Sequence, residues 1–128
     1  MRLLLDTHTF LWFVQNDPHL SAKASSLILD PANDSVLSMV SLWEIAIKAS
    51  IGKLTLAAPY DVFMQRQTPA FEILPIILDH TTMISSLAFP PGHKDPFDRL
   101  LIAQAMVEQI PIVSSDPALD QYPITRMW

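Results

Sequence analysis

Short apolar runs alternate with helix-patterned stretches along nearly the whole chain, and that alternation constrains the fold more than any other property. The runs are LLL before Asp6, SVLSM from Ser35, FEILPIIL from Phe71, PIVSS from Pro111 and ITRMW at the end. Between them lie segments with helical apolar spacing and helix start and stop residues. Thr7 or Thr9 is the expected cap of a helix ending before Asp17-Pro18, and Ser21 opens another that closes near Pro31. Ser41 is expected to start a third, with Gly52 at its stop. A weaker helix is expected from Pro59 to Gln67, and a further one from Thr81 to Leu87, capped by Asp79. Asp95-Pro96 opens the best-patterned helix, which runs to Glu108. Pro75 inside FEILPIIL sends that strand to a sheet edge. Strands that alternate with helices in this way build a parallel sheet covered on both faces. No repeat or linker divides the 128 residues, so residues 1–128 are read as a single domain.

Carboxylates recur where an apolar run or its following segment meets a helix: Asp6, Glu44, Asp98 and Asp116. Parallel α/β folds gather function at the carboxyl ends of strands. Four acids in one such crevice stay ionised only beside a cation, and an all-oxygen set favours a hard ion such as Mg²⁺ or Mn²⁺. Each acid also has a structural explanation. Asp6 is a common kind of turn residue after a strand. Glu44 follows Ser41 in the spacing of a capping box. Asp116 precedes Pro117 as a helix cap would. Asp95 is the natural cap of its helix, which leaves Asp98 free, since an acid in that first turn gains only ~0.3–1 kcal/mol from the dipole. The set persuades where the single residues do not. His8, His19, His80 and His93 show no metal-ligand spacing, and no phosphate loop, nucleophile elbow or dinucleotide fingerprint is present.

Composition narrows the possibilities further. The absence of cysteine excludes disulfide scaffolds and thiolate zinc sites. The chain is half apolar with a mean hydropathy of +0.28, yet no stretch approaches the ~18 residues of a membrane span. A cytoplasmic protein without a membrane segment is the expectation, with self-association or a partner covering the surplus apolar surface. A net charge of −5 rules out general basic nucleic-acid binding, so a polyanion would meet only local cations among the eight Lys and Arg residues.

The segments LLLDTHTFLW, SLWEIAIKASIGKL, HKDPFDRLLIAQA and IVSSDPALDQY, in this order and spacing, resemble PIN-domain ribonucleases. More narrowly, they resemble the VapC toxins of toxin–antitoxin pairs, with residues 55–75 the weakly matching part. The resemblance implies an α/β fold, a three-layer α/β/α sandwich around a parallel sheet of about five strands. It implies Asp6, Glu44, Asp98 and Asp116 as the acidic site, with Ser114 in the position of a hydroxyl residue beside the last acid. It also implies Mg²⁺- or Mn²⁺-dependent cleavage of RNA leaving a 5′-phosphate and a 3′-hydroxyl, a cognate antitoxin lying in an apolar groove of the early helices, and a homodimer.

In this reading Asp6 and Asp98 are the principal metal ligands, while Glu44 and Asp116 complete the shell or hold a second ion. Lys48, Lys94 and Arg99 are candidates for RNA phosphates, with ordinary solvated charge as the plain alternative. Trp12, Phe13, Trp43 and Ile47 are read first as core. The rival function is a catalytically inactive PIN-like module that only binds a partner, and the intact acidic set argues against it. A receiver-type phosphoacceptor or an Asp-x-Asp phosphatase fits badly, because Asp6 is followed by Thr7 and His8.

Overall fold

A computed structural model describes residues 1–93 and 95–128. Its centre is a parallel sheet of five short strands: β1 (Arg2–Leu5), β2 (Asp34–Ser38), β3 (Glu72–Leu74), β4 (Ile112–Val113) and β5 (Arg126–Met127). The spatial order is β3-β2-β1-β4-β5, so β1 is central and β3 forms one edge. The edge position of β3 follows from Pro75, which cannot donate to a further ladder.

The helices are α1 (Thr7–Val14), α2 (Ala22–Leu29), α3 (Met39–Ser50), α4 (Tyr60–Gln67), α5 (Leu78–Ser86) and α6 (Pro96–Glu108). Side-chain alternation in β1 divides the core. Leu3 and Leu5 face one way, packing with Phe10 and Leu11 of α1, Ala24 of α2, and Phe63 and Met64 of α4. Leu4 faces the other way, against Leu101, Ile102 and Ala105 of α6. All three leucines are fully buried, worth roughly 1.5–3 kcal/mol each. Both faces are thus covered, as a run of apolar residues with no polar alternation demands. Helix α3 straddles the two layers, with Val40 in one core and Ile45 in the other.

Three helix starts differ from the sequence reading. Asp6, not Thr7 or Thr9, caps α1, accepting from the Thr9 amide at 2.7 Å. Helix α3 is capped by Ser38 and begins before Ser41, which is buried inside it, so Glu44 belongs to no capping box. Helix α5 starts at Leu78, and Asp79 lies within its first turn. The imidazole of His80 turns back instead, and its Nδ1 accepts from the Ile77 amide at 3.1 Å. Ser21 and Asp95 cap α2 and α6 as expected.

Candidate active site

Strand order reverses between β1 and β4, because the chain runs outward from β1 to β2 and β3 and then returns to the other side of β1. Such a switch point opens a crevice at the strands' carboxyl ends. Leu5 and Val113 are paired in register, so the residues that follow them emerge side by side. Asp6 follows β1, and its amide donates to the Val113 carbonyl at 3.2 Å. The buried Thr9 hydroxyl donates to the same carbonyl at 2.8 Å and fixes the entry to α1. Ser114 and Asp116 follow β4. Asp116 caps the short 3-10 turn Pro117–Gln121, accepting from Ala118 at 2.9 Å, while its own amide donates to the buried Ser114 hydroxyl at 3.1 Å.

The other two acids arrive on helices. Glu44 projects from the middle of α3 and is 4% exposed. One carboxylate oxygen pairs with Lys48 one turn later, and the other lies 2.7 Å from the Thr7 hydroxyl, which in turn lies 2.9 Å from Ser41 Oγ. With one proton to give, Thr7 donates to Glu44 and accepts from Ser41. Asp98 sits in the first turn of α6 behind Asp95, whose carboxylate accepts the Asp98 amide at 3.0 Å. Trp43 and Phe97, the neighbours of Glu44 and Asp98, meet edge-to-face with ring centroids 5.0 Å apart, pinning α3 to α6.

Asp6, Glu44, Asp98 and Asp116 line one cavity of about 140 Å³, together with Asp95, Ser114, Thr7, His8 and Lys48. At ~30 Å³ per water, it takes a hydrated ion but no nucleotide, so a phosphate would reach it from the mouth. A hollow of about 590 Å³ elsewhere, beside Leu54, Leu56 and Tyr60, has no carboxylate in its wall. Among the described residues five acids against one lysine make the small cavity strongly negative. The Asp98 carboxyl feels this: burial first, then the Asp95 and Glu44 charges, push it up to about 6 against the pull of His93. A cation would relieve that repulsion, and an all-carboxylate and hydroxyl donor set suits a hard divalent ion.

Two residues, His93 and Arg99, stand apart from the sequence reading. His93 is buried beside the acids, with Nε2 3.3 Å from Asp98 Oδ2. Ligand atoms of His93, Asp98 and Asp116 all lie within 4.8 Å of one another. Its position two residues before Asp95 carried no signal in a single sequence. Arg99, expected at RNA phosphates, is 4% exposed, and its guanidinium is taken up by the Leu87 and Ala88 carbonyls, both at 2.8 Å. The helix turns Arg99 inward, away from the face that carries Asp98. Lys94 lies outside the described residues. Lys48 borders the cavity but is held by Glu44.

A sequence profile of the PIN domain family matches residues 3–124, almost the whole chain. The chain is a member of the PIN domain family. No curated protein matches this PIN domain by sequence. Among solved structures it is similar to a chain of DNA-bound VapBC from Salmonella typhimurium, at 18% identity and a TM-score of 0.74, covering 99% of this chain and 97% of that one. It also resembles VapBC2 from Rickettsia felis bound to a promoter DNA fragment, at 14% identity and 0.70, covering 99% and 98%. FitAcB from Neisseria gonorrhoeae matches at 22% and 0.63, covering 98% and 96%. At these identities the likeness is one of fold.

Proposed function

We propose that this PIN domain is a Mg²⁺- or Mn²⁺-dependent endoribonuclease, the toxin of a toxin–antitoxin pair acting in the cytoplasm. The observation that carries the reading is the meeting of Asp6, Glu44, Asp98 and Asp116 around one small cavity at the switch point. Bound there, a divalent ion supplies charge neutralisation and an acidified water for phosphodiester hydrolysis. Asp6 and Asp98 are the principal ligands, and Glu44 and Asp116 complete the shell. Thr7 and Lys48 hold the Glu44 carboxylate in place, the Ser114 hydroxyl holds the turn that presents Asp116, and Asp95 adds field at the rim. No dedicated general base is needed, because a ligand carboxylate suffices to orient the attacking water.

An antitoxin partner is supported by the fold neighbours, whose structures are described as VapBC complexes bound to DNA. Large apolar side chains left exposed, among them Ile76, Ile77 and Leu78 after the edge strand, support a homodimer or a partner contact. Among the described residues no helix is long and apolar enough to cross a membrane.

The test is RNA cleavage by purified protein with Mg²⁺ or Mn²⁺, with and without chelator, beside Asp98→Asn. Sequencing RNA ends after brief expression identifies the cut sites. Chelator-sensitive cleavage absent in the folded variant is expected, and cleavage that survives both treatments overturns the reading.

A further inference from the structure

A chain of buried polar side chains runs from the interior of α6 to the cavity. Arg99 Nη1 lies 3.2 Å from the Tyr122 hydroxyl, that hydroxyl lies 2.6 Å from His93 Nδ1, and His93 Nε2 lies 3.3 Å from Asp98 Oδ2. Arg99, Tyr122 and His93 are each less than a tenth exposed, and the tyrosine and histidine rings meet edge-to-face. The guanidinium is fixed by the Leu87 and Ala88 carbonyls and lies over the Phe89 ring, 3.6 Å from its centroid.

The direction of this chain follows from what each group can do. Arginine only donates, so the Tyr122 oxygen accepts. Its single hydroxyl proton then has one partner in reach, His93 Nδ1, and leaving it unused would strand a buried donor. With Nδ1 accepting, the neutral imidazole carries its proton on Nε2 and donates it to Asp98. That nitrogen has no lone pair left for a cation, although its distance to Asp98 and Asp116 would suit a ligand.

We infer that His93 is a positioning residue, locked by Tyr122 and Arg99 in the Nε2–H tautomer so that it orients the Asp98 carboxylate toward the cation, and is not itself a metal ligand. One Asp98 oxygen is thereby tied to protein and the other is left for the metal. This arrangement, in which a fixed outer partner sets the angle of an inner ligand, tunes many metal sites. The inference deepens the reading of the cavity as a divalent-metal site and rests on it.

Two measurements test it. Long-range nitrogen–proton NMR of the metal-free protein reads the His93 tautomer directly; Nε2–H is expected, and Nδ1–H overturns the proposal. Mn²⁺ titration followed by electron paramagnetic resonance, without RNA, reads the effect on the ligand. Tyr122→Phe, which removes one oxygen, should weaken Mn²⁺ binding about tenfold, the scale typical of such outer partners. His93→Gln can still donate to Asp98 and should stay within about threefold of wild type, whereas His93→Leu should lose about tenfold or more. Equal Mn²⁺ affinity in His93→Leu and wild type overturns the proposal, as does a nitrogen hyperfine coupling showing histidine bound to manganese. If Tyr122→Phe does not fold, the wild-type tautomer decides. If wild type takes up no Mn²⁺, the metal reading fails, while the tautomer still decides the hydrogen-bond chain. If His93→Leu binds normally but Asp98→Asn does not, the proposed function stands without this inference.

Discussion

Two polar clusters are attached to the same sheet, and they treat charge in opposite ways. On the α5/α6 side, Ser38 donates to Gln104, Gln104 reaches the Pro75 carbonyl and His80, and His80 Nε2 donates to Glu108 at 3.1 Å. Arg2 joins Glu108 to Glu72, so the cluster ends in ion pairs. Every buried donor and acceptor there has its complement. At the strands' carboxyl ends the cavity gathers five carboxylates, with Lys48 the one lysine in its wall among the described residues. A satisfied network stabilises one structure, while an uncompensated one stores the means of binding something else. The difference between the clusters locates function more sharply than cavity size does.

The largest effect should come from Asp98→Asn. RNA cleavage should fall by more than the 10–100-fold typical of losing an outer partner, while the metal-free protein melts no lower than wild type. Lost stability with retained cleavage would invert the comparison. The mirror experiment is Gln104→Leu, which strips the buried Ser38 hydroxyl proton of its acceptor and the Pro75 carbonyl of its side-chain donor. Urea unfolding should show a loss of about 1–3 kcal/mol per orphaned group, with cleavage per folded molecule unchanged.

Acid should also separate the clusters. Because the folded Asp98 carboxyl lies near 6, above its value in an unfolded chain, the fold binds a proton there that the unfolded chain has released. Lowering the pH from about 7 to about 5 should therefore raise the melting temperature of the metal-free protein, and the gain should vanish as pH rises through 6. Saturating Mn²⁺ should reverse the trend, since ion and proton compete for the same oxygen. The smallest effect belongs to the exposed pair Arg2–Glu72. Glu72→Gln should cost no more than about 1 kcal/mol in urea unfolding and leave metal binding alone.

Much of this was legible in the sequence, for identifiable reasons. Asp95-Pro96 marked the start of α6 because the cap and first-turn signals are local, and Pro75 placed β3 at the edge because a missing amide hydrogen is a local fact. The start of α3 was misread because Ser38 and Ser41 offer the same chemistry three residues apart, and only the register of β2 shows where the strand stops. The acids could be nominated because their architectural position repeats. His93 and Tyr122 could not, since their meeting depends on the loop before α6 folding back on the turn after β4. Arg99 misled for a related reason: an arginine in a polar-looking segment reads as solvated unless the carbonyls that bury it are known.

The central place of β1 has one more outcome. Its neighbours come from opposite halves of the polypeptide, and Asp6 reaches Asp116 only once β4 has joined the sheet beside it. A chain nicked or halted before that late strand retains carboxylates but no centre. The proposed cleavage chemistry is thus withheld from fragments, and RNA cleavage by the purified chain would report that folding has gone to completion.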